Sequence, residues 1–114
     1  MAKRVIFYDE IKSPPFETEA RFEIGGILRE FQDGKIPSAP AVKPVEQIGR
    51  RCYEVRHETA QHNWRVYLAV RTNIVVLFAE DKKRYSIPKS TIETCKSRLR
   101  SYERAEKEFN REAL

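Results

Sequence analysis

Cysteine, histidine and glycine are all scarce in this 114-residue chain, at two, two and four residues. Cys52 and Cys95 stand far apart with no Cys-x-x-Cys spacing, which excludes a disulfide framework and a sulfur-based zinc module. Both read as reduced core thiols of a cytoplasmic protein. The few glycines never gather into a phosphate-cradling loop, and there is no Gly-x-Ser-x-Gly elbow. His57 and His62 lie near Glu54 and Glu58, but their spacing follows no ligand pattern, so neither metal nor cofactor is expected. Long apolar runs are missing too. None approaches the roughly 20 residues of a membrane helix, so no membrane association is expected. The opening MAKRVIFYDE has neither a long apolar region nor a small-residue cleavage site, and is not expected to be a secretory signal.

Charge is what the chain has in excess. Charged residues make up 34%, and 22 Lys and Arg against 17 Asp and Glu leave a net charge of +5. Such a balance speaks about partners rather than fold. Nucleic acid, the ribosome and an acidic protein all fit it. The length and the 40% hydrophobic content predict one domain over 1–114 with a real core.

The periodicities give an order of elements. Arg4 to Tyr8 is rich in β-branched and aromatic residues and predicts a strand. Ser13-Pro14-Pro15 predicts a helix start. Phe16, Ala20, Ile24, Ile27, Leu28 and Phe31 then recur at helical spacing, until Asp33-Gly34 stops the helix. Gly25-Gly26 inside it predicts a close neighbour. Lys35 to Pro44, with three prolines, reads as an extended loop. Arg51 to His57 alternates, with Cys52, Glu54 and Arg56 on one face and Tyr53 and Val55 on the other. Trp64 to Val70 also alternates, whereas Ile74 to Ala79 is continuously apolar, as in a strand covered on both faces. Thr72-Asn73 predicts a hairpin turn between those two. Ile92, Cys95, Leu99 and Tyr102 mark a helix over Pro88 to Phe109. The expected class is α+β, in the order β-α-β-β-β-α, with a small antiparallel sheet and helices packed on it.

Chemistry has one candidate location. Arg56 ends one strand and Arg65 begins the next, so antiparallel pairing brings them together. The alternation puts both on the face opposite the apolar one, where exposure is expected. Lys82, Lys83 and Arg84 follow the last strand. Clustered cations repel one another, and a bound phosphodiester would offset that repulsion. Trp64, Tyr67 and Tyr85 are interleaved with them, as a base-stacking surface requires. The alternative stays open at this level: Glu54 and Glu80 neutralise the arginines across strands, the lysines form a solvated loop, and the aromatics are core.

The same residues carry a resemblance. Tyr53-Glu54-Val55-Arg56, Trp64-Arg65-Val66 and the stretch from Glu80 through Lys82-Lys83 to Pro88 occur in order. With them the chain resembles the HigB-like, phage-derived branch of the RelE/ParE superfamily of bacterial toxins. It departs from that pattern at Glu80, where an aromatic is usual, and at Arg84 and Ile87, where threonines are usual. The resemblance implies a RelE-like fold and a metal-independent messenger RNA endonuclease acting on the ribosome, held in check by an antitoxin of helix-turn-helix type. It implies roles for Arg56 and Arg65 on transition-state charge and for Lys82 and Lys83 on phosphates. Tyr85 would stack on a base or transfer a proton, and His57 is a second acid/base candidate. Arg51, Trp64 and Arg84 would add RNA contacts. The competing expectation is a non-nuclease relative that binds RNA, antitoxin or gyrase.

Overall fold

The computed structural model describes residues 3–8, 16–37, 41–81 and 86–113. Its elements are β1 (Val5–Phe7), α1 (Thr18–Gln32), β2 (Val42–Pro44), β3 (Cys52–Glu58), β4 (Asn63–Val70), β5 (Ile74–Asp81) and α2 (Lys89–Ala113). The strands form one five-stranded sheet in the order β1-β5-β4-β3-β2. β2 to β5 are an antiparallel meander, and β1 lies parallel to β5. The class is the expected α+β, but the sheet is mixed. Strand composition does not encode direction, and α1 carries the chain from one edge of the sheet to the other, leaving β1 to pair with the last strand. β2 also departs from the expected loop. Pro44 is tolerated because β2 is an edge strand, which has one side free of ladder bonds.

Each face of the sheet holds one helix. α1 buries the predicted stripe, including Ala20, Ile24, Leu28 and Phe31, against Val55, Val66, Leu68 and Val76. Asp33 ends it by donating its N–H to the Arg29 and Glu30 carbonyls, and Gly34 follows at φ 84°. The expected close neighbour at Gly25 and Gly26 is not there. A Cβ at either would meet nothing nearer than the tip of Arg29, 3.8 Å away. The predicted helix start at Ser13-Pro14-Pro15 lies outside the described residues.

α2 buries Cys95 and Leu99 against Cys52, Tyr67, Ala69, Val75 and Leu77 on the second face. Trp64 to Val70 on β4 are therefore buried without exception. The alternation there separates two covered faces rather than core from solvent. β5 carries one further irregularity. Tyr67 pairs with Phe78 and Leu68 with Val76, which leaves Leu77 as an extra residue. This bulge turns both Leu77 and Phe78 to the α2 side and inverts the facing of everything after them.

Candidate nucleic-acid interface

Arg56 and Arg65 are direct cross-strand partners. Two cations so placed repel each other, and the fold answers with Glu54, two residues from Arg56 and on the same face. Glu54 is fully buried. Its Oε1 accepts from Arg56 Nε at 2.7 Å, and its Oε2 accepts from Arg65 Nη1 at 3.2 Å. One carboxylate thus bridges both guanidinium groups.

The two arginines are not equivalent. Arg65 is 2% exposed, and its Nε has no hydrogen-bond partner among the described residues. The expected exposure of Arg65 is therefore incorrect: β4 is the central strand, and this face too is covered. The Arg56 side chain retains 28% exposure and is the guanidinium of the pair that reaches solvent. Glu80 is the cross-strand partner of Arg65 on β5. Its Oε1 accepts the Tyr67 hydroxyl at 3.0 Å. Burial, then the charges of Glu80 and Glu54, push the Tyr67 phenol far above its ordinary range. It stays protonated and is a structural donor, not a base. Two arginines against Glu54 and Glu80 leave this part of the cluster balanced in charge. A surplus has to come from the sequence after Asp81. There stand Lys82, Lys83 and Arg84, with Tyr85, which lie outside the described residues.

The remaining candidates are placed elsewhere. Trp64 is 5% exposed on the α1 side. Its ring meets Phe16 edge-on at 4.9 Å, and its Nε1–H donates to Glu17 at 3.2 Å. It is a core residue and offers no ring to a base. Tyr67 is likewise fully buried. His57 pairs across strands with Trp64 and so faces away from Arg56. Arg51 precedes β3, at the end opposite Arg56, with φ 54°. Five residue steps along the strand, roughly 16 Å, separate the two. The structure therefore gathers Arg56 and Arg65, and sets His57, Trp64 and Arg51 apart from them.

Two groups of consequence have no clear mark in the sequence. The bridging role of Glu54 is hinted at by its spacing from Arg56, but its burial is not. His62 Nδ1 lies 2.6 Å from Asp81 Oδ2, a contact across 19 residues that depends on the bulge. Among the described residues no three His, Cys, Asp or Glu side chains gather as a metal ligand set, and no helix is long and apolar enough to cross a membrane.

A small basic α+β protein with an arginine pair braced at one end of its sheet is the class these features define. The chain belongs to the family described as "Phage derived protein Gp49-like (DUF891)", whose model matches residues 10–100. That family is associated with the toxins of toxin–antitoxin systems, and membership implies an antitoxin partner. Searches of curated proteins and of solved structures gave no match.

Proposed function

We propose that the chain is the toxin of a type II toxin–antitoxin pair and cuts messenger RNA on the ribosome. One observation carries this reading: the cross-strand pair Arg56 and Arg65, braced by buried Glu54. It stands at the sheet end from which the sequence continues into Lys82-Lys83-Arg84. Attack of an RNA 2′-hydroxyl on the adjacent phosphate needs no metal. It needs a base, a proton for the leaving oxygen, and fixed positive charge on the pentavalent transition state. Preorganised charge is commonly the largest of these contributions, because it costs no reorganisation during the reaction.

On this reading the roles divide between the residues. Arg56 meets the phosphate, while Glu54 and Arg65 hold its guanidinium in place. Lys82 and Lys83 neutralise flanking phosphates, and Arg84 and Tyr85 hold the nucleotide alongside. The antitoxin, of helix-turn-helix type, acts by covering this sheet end. The charge balance within the described cluster favours a second reading, in which Glu80 has turned the site into one that binds and does not cut.

Inducible expression of the full chain in a bacterial host, beside Arg56→Ala, tests both. Growth arrest with new 5′-ends in translated messages, lost in the variant, is the expected result. Normal growth with folded protein would replace the nuclease by the binder. Arrest with DNA-damage signalling and intact messages would point to gyrase instead.

A further inference from the structure

The loop between β2 and β3 carries two further cations, and it is fixed at several points. Val45 and Ile48 are buried with Leu99 in the core under α2. Gly49 rests against that helix, where a Cβ would stand 3.4 Å from Leu99 Cδ2. The Arg50 carbonyl accepts from Arg71 Nη1 at 2.8 Å. Arg71 is itself paired with α2, its Nε lying 3.7 Å from Glu103 Oε2. Arg51 then takes the left-handed backbone at φ 54°, which a side chain adopts at a cost and glycine does not. On this fixed loop the Arg50 and Arg51 side chains are both exposed. Among the described residues neither is hydrogen-bonded or ion-paired, although Glu46 lines the same cleft. The cleft holds about 450 Å³ and is also lined by Pro44 and the half-buried Tyr53.

From this geometry we infer a second RNA-binding site, in which Arg50 and Arg51 grip the phosphate backbone and Tyr53 and Pro44 carry an adjoining sugar or base. The inference rests on the RNA-directed reading above. Two adjacent cations without a counter-charge repel each other, and phosphate would offset that repulsion. Guanidinium groups suit it, because their donors match phosphate oxygens in pairs. A ring beside them gives a base a surface to stack on. A loop that needed only to turn and stay solvated would be served better by glycine or asparagine at position 51. Strained backbone kept at a functional side chain is a common arrangement. Arg51 lies roughly 16 Å along β3 from Arg56. The strand held here is therefore not the bond being cut, and the site anchors RNA without entering the chemical step. That strand comes from the messenger beyond the cut or from ribosomal RNA, which share the same backbone chemistry.

The test measures binding of the full chain, as a function of salt, to a single-stranded RNA oligonucleotide, to ribosomes carrying messenger and to ribosomes without it. Arg50→Gln with Arg51→Gly removes both guanidinium groups, and glycine keeps the loop backbone. The slope of log affinity against log salt should become shallower by about 0.7 to 1.4, for one or two phosphates released. A change on both kinds of ribosome assigns the strand to ribosomal RNA. A change on the oligonucleotide and the messenger-carrying ribosomes alone assigns it to the messenger. Melting curves should show Arg51→Gly no less stable than the unaltered chain. If the double variant fails to fold, Arg50→Gln alone decides, with half the change expected. Unchanged slopes on all three probes overturn the site while the nuclease reading survives. Unchanged RNA slopes with weakened binding to polyglutamate also overturn it, and give the arginines to an acidic protein. A chain that shows the slope change but never cuts messenger removes the nuclease reading and leaves this site standing.

Discussion

Replacing Arg65 by alanine should damage the fold before it says anything about catalysis. Arg65 and Glu54 are 2% and 0% exposed. Removing the guanidinium leaves a buried carboxylate with Arg56 as its remaining charged partner, and a hole where the Arg65 stem lay. Breaking a buried pair from one side costs about 3–5 kcal/mol, against a total stability on the order of 5–15 kcal/mol for a domain. Arg56→Ala is the contrasting case. The lost partner is 28% exposed, Glu54 keeps Arg65, and the cost falls to about 1 kcal/mol. Urea unfolding measures both, read by the fluorescence of the single tryptophan and by far-UV circular dichroism. Replacing the pair together, Glu54→Gln with Arg65→Met, should recover much of the loss, because no fully buried charge is then left without a partner and the Arg56 side chain is 28% exposed. If Arg65→Ala costs less than about 1 kcal/mol, Arg65 is solvated in solution and the bracing argument is wrong. If Arg56→Ala costs as much as Arg65→Ala, the two arginines are equivalent and the division of roles fails.

Further outcomes follow from other parts of the molecule. Gly25→Ala and Gly26→Ala should each raise stability by up to about 1 kcal/mol, because a methyl there meets only the Arg29 tip at 3.8 Å; urea midpoints check this. Hydrogen bonds from Thr59 and then Trp64 hold the Glu17 carboxyl below its ordinary value of 4.5. A depressed carboxyl contributes stability above its unfolded pKa and loses it as pH falls through the folded one. Glu17→Gln should therefore flatten the loss of melting temperature below about pH 4.5 and leave the curve above it parallel to the original. Burial pushes the Cys95 thiol up to about 12 and raises that of Cys52. At pH 8 a thiol reagent should label neither until the chain unfolds, so the labelling rate should rise with urea in step with unfolding.

Some of this structure is legible in the residues. The apolar stripes of α1 and α2 need only a period of 3.6, and most of the residues the sequence marks are buried, with Ile27, Ile92 and Tyr102 half-buried at the edges. Alternation in β3 and β4 is enough to bring Arg56 opposite Arg65. What alternation cannot supply is the number of covered faces. Arg65, Tyr67 and Ala69 look like an outward row, but α2 packs on that side and β4 lies at the centre of the sheet. Trp64 misleads for a related reason. An aromatic between cations resembles a stacking platform, yet its position on β4 puts it under Phe16 and within reach of Glu17. β2 escapes notice because prolines mark loops and edge strands alike.

The least legible feature is the one that sets the facing of Glu80 and Asp81. In a regular β5, with no residue inserted at Leu77, Glu80 would face the α1 side and Asp81 the α2 side. The bulge exchanges them. It sets Glu80 beside Tyr67 and opposite Arg65, and it sets Asp81 against His62 and the Asn63 backbone. The stretch Ile74 to Ala79 is apolar throughout, so its pattern carries no period that an extra residue would interrupt. What holds the bulge open comes from another element. Arg98 of α2 lies over the rings of Tyr8 and Phe78, at 5.5 and 5.4 Å, and its Nη1 donates to the Leu77 carbonyl at 2.6 Å. A polar side chain entering an apolar layer has a cost, and here it serves the backbone carbonyl of the inserted residue. The facing of Glu80 and Asp81 is thus settled by an arginine on the last helix, 17 or more residues further along the chain.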